Sequence, residues 1–154
     1  TQELATNDVM IDYFAFDTST AEYVQFKMVM PEQYDGGTIK AKFYWKPSSS
    51  TTTSHDCQWG IEGQSHADGG ELGAWGTQAV AVTDNVIATD STKKVHLSVA
   101  SGACTIAGAT AGIADELVYF RIGRVVGGDD LNEDAHLLGV AIQYREAASA
   151  DAAW

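Results

Sequence analysis

The chain has 154 residues and carries 9 lysines and arginines against 21 aspartates and glutamates, a formal net charge of −12. Its length suits a single domain, and a hydrophobic content of 45% excludes wholesale disorder. The excess of acidic over basic residues argues against nucleic acid and anionic membrane surfaces as partners, because proteins that bind either one present basic patches. No apolar run approaches the roughly 18 residues that span a bilayer. The N-terminal segment shows no signal-peptide pattern.

β-Branched residues dominate the apolar composition. Valine and isoleucine total 20 against 7 leucines, and threonine adds 14 more. Strands favour these residues, whereas helical bundles rely on leucine. Apolar and polar residues also alternate with a period of two along most of the chain, as half-buried strands require. The sequence therefore predicts an all-β domain.

Turn residues separate nine candidate segments, of which seven or eight are predicted to form strands. In chain order the candidate segments are Val9–Phe16, Glu22–Met30, Thr38–Lys46, His55–Ala67, Gln78–Thr83, Lys93–Val99, Cys104–Ile106, Glu116–Val126 and Ala135–Glu146. We predict a two-sheet antiparallel sandwich of about eight strands with jelly-roll topology. Residues 1–8 are predicted to form an N-terminal arm, residues 9–146 the sandwich, and residues 147–154 a C-terminal arm.

The alternation also predicts which side of each strand faces the core. The inward side chains of three strands are predicted to be Ile39, Ala41, Phe43 and Trp45, then Val95, Leu97 and Val99, then Leu138, Val140, Ile142 and Tyr144. Trp45 and Trp59 both fall on core-facing positions. Trp75 lies instead in a glycine-rich loop, and we predict an exposed platform there on which a sugar ring can stack.

Cysteine usage indicates no redox or zinc chemistry, because Cys57 and Cys104 form no CxxC motif. Without an export signal, two buried free thiols are favoured over a disulfide. No motif for a catalytic triad, a phosphate-binding loop or a metal-binding histidine pair occurs. No spacing supports Glu62 and Glu71 as a pair of glycosidase carboxylates. We therefore expect a non-enzymatic protein without a cofactor or catalytic metal.

One acidic turn near the end of the chain has two interpretations. Asp129, Asp130 and Asp134 cluster there, and carboxylate oxygens suit calcium. The spacing lacks the pattern of an EF-hand loop, so we favour a solvated turn. Arg121 and Arg124 precede it, and salt bridges from both arginines to the turn are predicted to hold this corner.

Self-association is predicted from one strand face and from the two arms. Tyr23, Val29 and Tyr44 are interleaved with lysines and glutamine, the mixture found at protein interfaces. Leu4 and Trp154 place apolar side chains in the arms, where a lone small domain has little use for them. We expect a homo-oligomer, most simply a trimer, since closed cyclic symmetry is usual.

Several short motifs along residues 10–146 resemble a family of tailed-bacteriophage structural proteins. The motifs are Met30-Pro31-Glu32, Asp35-Gly36-Gly37, Tyr44-Trp45, Arg121 with Arg124, Gly128-Asp129-Asp130 and Leu137-Leu138-Gly139-Val140. The resemblance implies a jelly-roll module on a virion, as a head decoration or fibre protein. These motifs are structural, so the resemblance implies no functional residue.

From this resemblance we expect a capsid decoration or cement subunit, assembled in the host cytoplasm and bound to the major capsid protein on the outside of the head. Many weak contacts then add up through multivalent attachment. The alternative is a glycan- or receptor-binding module of a tail or head fibre, in which Trp75 is required. Binding to glycans distinguishes the two hypotheses.

Overall fold

The computed structural model describes residues 2–3, 9–50, 54–75, 80–87, 94–108 and 116–147. These residues form eleven strands and no helix. The strands are β1 Gln2–Glu3, β2 Met10–Ile11, β3 Phe14–Phe16, β4 Tyr23–Val29, β5 Lys40–Pro47, β6 Asp56–His66, β7 Val80–Asn85, β8 His96–Leu97, β9 Ile106–Ala107, β10 Leu117–Arg124 and β11 Ala135–Gln143. Nowhere in the described ranges does a helix long and apolar enough to cross a membrane occur.

Two sheets pack face to face, which confirms the predicted all-β, two-sheet sandwich. The five-stranded sheet has the order β4-β10-β6-β7, and the short β9 adds to it by pairing with β6. The four-stranded sheet has the order β3-β11-β5-β8. All pairings are antiparallel except that between β6 and β9, and β1 pairs separately with β2.

Successive strands repeatedly change sheet, as β3, β4, β5 and β6 do in turn. Each crossing places neighbouring segments of sequence on opposite sides of one core. The aromatic centre of this core is Trp59, which contacts the Phe16 ring edge-on at 5.2 Å between centroids and stacks on Phe43 at 5.9 Å. Trp45 and Trp59 are both fully buried, as their positions in the alternation predicted.

The β8 strand faces the opposite way from the prediction. Val95, Leu97 and Val99 are exposed, whereas His96 and Ser98 are buried. His96 packs against the Trp45 ring with centroids 4.9 Å apart. His96 Nδ1 accepts the Ile87 amide at 3.4 Å, and Ser98 binds the β5 backbone, whereas His96 Nε2 has no hydrogen-bond partner among the described residues. Ring packing and these hydrogen bonds determine the inward side of this strand.

Serine hydroxyls satisfy the free edge of β5 beyond the short β8. The Phe43 amide donates to the Ser98 hydroxyl at 3.0 Å, and the Ala41 amide donates to the Ser101 hydroxyl at 3.0 Å. The same serines donate their own amides to the Phe43 and Ala41 carbonyls. Two side chains thus replace part of a neighbouring strand.

A bulge in β11 interrupts the face that was predicted for this strand. The register with β5 shifts between Leu137 and Gly139. As a result Leu137 is buried and Leu138 is only half-buried, whereas the other members of the predicted face, Val140, Ile142 and Tyr144, pack against the core. A β-bulge adds one residue to one strand, so it reverses the inward side from that point onward.

Candidate functional site

The outer surface of the four-stranded sheet combines lysines with exposed apolar side chains, in a chain that is acidic overall. The strands β3, β5, β8 and β11 contain no aspartate or glutamate. Directly opposed residues of antiparallel strands project to the same side. Lys40 opposes Gln143, Lys42 opposes Ala141, and Tyr44 lies between Gly139 and Leu97. We call the surface formed by Lys40, Lys42, Tyr44, Leu97, Gly139 and Ala141 the lysine face.

Exposed apolar side chains continue this surface along β8. Tyr44 is 39% exposed and Leu97 46%, and the flanking Val95 and Val99 are 55% and 68% exposed. On β11, Gly139 and Ala141 contribute only small side chains beside Tyr44 and Lys42. Contiguous apolar area of this kind on a soluble protein marks a contact surface.

Tyr23 and Tyr44 do not share a face, so the predicted interface that combined them is wrong. Tyr23 lies on β4 in the five-stranded sheet, and Tyr44 lies on β5 in the four-stranded sheet. The alternation assigns a side within each strand, but it does not assign the sheet to which the strand belongs. Tyr44 thus belongs to the lysine face, and Tyr23 to a second surface on the other side of the sandwich.

That second surface is centred on Arg121 in β10. Its guanidinium pairs with the Glu62 carboxylate on the adjacent β6. It also lies 4.2 Å from the centroid of the Tyr23 ring and 5.1 Å from that of Trp75. A cation over an aromatic face is attracted by the ring quadrupole. Arg121 therefore links two strands and the 67–75 loop.

Glycine at position 123 makes this arrangement possible. Gly123 opposes Tyr23 in the ladder, and a Cβ there would lie 2.8 Å from the Tyr23 ring. Without a side chain, the ring can lie against β10 and reach Arg121. The prediction that Arg121 pairs with the acidic turn is wrong, because Arg121 occupies an outward position of β10.

A small cleft adjoins this cluster. Its volume is about 160 Å³, and the side chains that line it include Gln25, Gln64, His66, Tyr119 and Trp75. We call this the aromatic cleft. Trp75 is half-buried in its wall, so the predicted platform is less exposed than expected. Gln25, Gln64 and Tyr119 were not predicted as site residues, although Tyr119 and Arg121 share the outward alternation of β10.

Arg124 projects to the other side of the same strand and forms the predicted salt bridge to the acidic turn. Its Nε lies 2.8 Å from Asp129 Oδ2, and its Nη1 donates to the Glu133 carbonyl at 2.8 Å. Asp130 Oδ1 accepts the Asp56 amide at 2.7 Å. Carboxylates proposed as calcium ligands thus hold the turn to β6 instead.

Other candidate groups are placed as follows. Asp134 is exposed, as is Glu71, while Glu62 is buried beside Arg121. Among the side chains that the structure describes, no three of His, Cys, Asp or Glu are grouped to hold a metal ion. Leu4 and Trp154 lie outside the described residues.

Two cysteines and two histidines are buried. Cys57 and Cys104 are free thiols, as predicted, and burial raises the pKa of both. His136 stacks on the Tyr13 ring at 3.9 Å between centroids. Burial, with a smaller effect of the Lys46 charge, lowers the pKa of His136 to about 4. Burial also lowers the pKa of His96.

No family model, no curated protein and no solved structure matches this chain.

Proposed function

We propose that this protein is a non-enzymatic structural subunit of a bacteriophage virion, a capsid decoration protein that assembles with copies of itself on the outer surface of the head. The observation that carries the assembly part is the lysine face. The virion setting rests on the motifs that resemble phage structural proteins.

The composition of the lysine face suits a protein partner. Its centre, Tyr44 with Leu97, is apolar, and Lys40 and Lys42 lie beside it. Interfaces combine an apolar centre with a polar rim, and tyrosine is enriched in them.

Charge complementarity favours a second copy of this chain as one partner. The chain has a net charge of −12, yet no strand of the four-stranded sheet carries a carboxylate. The acidic turn of the same chain exposes Asp130 and Asp134. Contact between the lysine face of one copy and an acidic surface of the next is heterologous, and such contacts form a ring when the rotation between copies closes. A trimer is the smallest such ring, and the major capsid protein is the second proposed partner.

The strand order also supports the predicted jelly-roll topology, which we include in the proposal. Eight principal strands divide equally between the two sheets, and the chain alternates between the sheets at most connections. Jelly rolls contain eight strands in two sheets with Greek-key connections.

A matched pair of charge reversals tests self-association. Lys40 lies on the lysine face and Lys27 on the five-stranded sheet, and both are exposed. Lys40→Glu and Lys27→Glu change the net charge equally, so general repulsion is the same in both. By sedimentation velocity we expect the wild type and Lys27→Glu to assemble as trimers and Lys40→Glu to be a 16.4 kDa monomer. A monomeric wild type at high concentration, or equal assembly of the two variants, would contradict the proposal.

Copy number tests the virion part. The test uses purified phage particles whose genome encodes this chain. We expect quantitative mass spectrometry to find many copies of the protein on each head. Absence of the protein from intact particles would overturn that part and leave the self-association result unaffected.

A further inference from the structure

We infer that the aromatic cleft on the five-stranded sheet binds one uncharged sugar ring of a glycan. The inference does not depend on the proposed function, because the cleft and the lysine face lie on opposite sheets of the sandwich.

The cleft is lined by aromatic rings and by polar side chains that can both donate and accept hydrogen bonds. Trp75 and Tyr119 contribute the rings, and Gln25 and Gln64 contribute carboxamides. A pyranose has apolar C–H faces, which pack on an indole, and hydroxyls that both donate and accept. Carboxamides are the side chains that offer an acceptor oxygen and two donor hydrogens together. Tyrosine and tryptophan likewise combine an apolar body with a polar tip.

The local charge favours a neutral ligand. Arg121 is the nearby cation, and it is already paired with Glu62 on the adjacent strand. Among the described side chains that line the cleft, none is an aspartate, glutamate, lysine or arginine. An acidic sugar or a phosphate therefore finds no lysine or arginine among the described side chains that line the cleft, since the exposed Lys27 lines the neighbouring groove instead.

The wall of the cleft is held in place before any ligand arrives. The Trp75 ring lies 5.1 Å from the guanidinium of Arg121, which is itself fixed by Glu62 and by the Tyr23 ring. Gln64 Nε2 reaches the Ala74 carbonyl at 3.5 Å, and His66 packs edge-on against Tyr119 at 5.5 Å. Side chains that are already ordered lose less entropy on binding.

The volume limits the ligand to about one ring. The cleft measures about 160 Å³, whereas sites for drug-sized molecules have about 300–1,000 Å³. The remainder of a longer glycan would lie along the surface. Single-site affinity is then low, and multivalent presentation is required for tight attachment.

Two measurements on the full chain test the inference. The labelled protein is first applied to an array of neutral and acidic saccharides, and the neutral saccharide that gives the strongest signal is then titrated calorimetrically as a monovalent glycoside. We expect Trp75→Ala to weaken this binding at least tenfold. Tyr44→Ala, which removes an exposed aromatic ring from the other sheet, should leave it unchanged.

A second variant covers the case in which Trp75→Ala loosens the loop and lowers the melting temperature. Gln25 is exposed, so Gln25→Ala should melt like the wild type and bind the glycoside several-fold more weakly. Array signals at background for all neutral saccharides, preferential binding of acidic sugars, or unchanged affinity in Gln25→Ala would each overturn the inference. Loss of trimers alone would not affect the monovalent titration, so failure of the proposed function remains distinguishable.

Discussion

The Arg124 guanidinium and the Asp129 carboxylate form an ion pair at 2.8 Å, and their side chains are 0% and 3% exposed. Arg124 also donates to the main-chain carbonyls of Leu131 and Glu133. A single buried side chain therefore fixes the turn that follows β10. Hydrogen bonding and the negative charge of Asp129 keep the pKa of Arg124 raised, although burial alone acts in the opposite direction.

Removing one partner of this pair should destabilise the fold strongly. We expect Asp129→Ala to lower the free energy of unfolding by about 3–5 kcal/mol, because it leaves a buried charge without a partner. Urea denaturation followed by tryptophan fluorescence measures the change. The exposed Asp134 provides the control, since Asp134→Ala should alter stability by no more than about 0.5 kcal/mol. Equal effects of the two substitutions would contradict the argument.

Chelation of calcium should leave the melting temperature unchanged. The Asp129 carboxylate is engaged by Arg124, and that of Asp130 by the Asp56 amide. A ligand that binds only the folded state raises its stability, so a functional calcium site would reveal itself by a lower melting temperature in EDTA. Scanning calorimetry with EDTA and with added calcium makes the comparison. A decrease that calcium reverses and that Asp130→Asn abolishes would establish a site in the turn.

Adjacent residues of β5 should differ sharply in their contribution to stability. Trp45 is fully buried, packs against Trp59 and His96, and donates Nε1 to Asp84 at 2.7 Å. Trp45→Ala should cost about 3–5 kcal/mol, a large part of the roughly 5–15 kcal/mol typical of a whole domain. Tyr44→Ala removes a ring on the exposed side and should change monomer stability by about 0.5 kcal/mol at most. A Trp45→Ala protein with wild-type stability would show that the ring is not a core element.

Mild acid should destabilise the protein through His136. Its pKa is about 4 in the folded chain and 6.5 as the reference value, so the unfolded chain binds the proton more readily between these limits. The free energy of unfolding therefore falls as the pH decreases through this window. His136→Phe retains a ring against Tyr13 and removes the titration.

The comparison is made by urea denaturation at several pH values. Between pH 7 and pH 5 the wild type should lose about 1–2 kcal/mol more than His136→Phe. Carboxylates contribute equally to both proteins, so the difference isolates the histidine. Parallel pH profiles would mean that His136 titrates normally.

The period-two pattern predicted the sandwich well because most strands bury one apolar side. It failed where another interaction determined the inward side, as in β8, where His96 packs on Trp45 and Ser98 binds the β5 backbone. It also failed at the β11 bulge, where Leu137 is inward in place of Leu138, whereas Val140, Ile142 and Tyr144 beyond the bulge pack against the core as the alternation predicted.

The candidate surfaces were harder to predict because they depend on which strands are neighbours. Trp75 was predicted from its glycine-rich loop, but its contact with Arg121 joins segments far apart in sequence. The pairing of Arg121 with Glu62 requires that β10 lie beside β6, which no local pattern specifies. Conversely, Arg124 and Asp129 are five residues apart, and their pairing could be predicted.

The two serines that bind the β5 backbone limit how copies of this chain can join. An exposed strand edge offers unpaired amides to any other strand, and such contacts can repeat without end as a fibril. Here the amides of Phe43 and Ala41 are already occupied by Ser98 and Ser101. The β5 backbone at Phe43 and Ala41 is therefore closed to strand addition by another copy. At these two positions, even at high protein concentration, copies can therefore join only through side-chain contacts. This restriction favours assemblies of finite size.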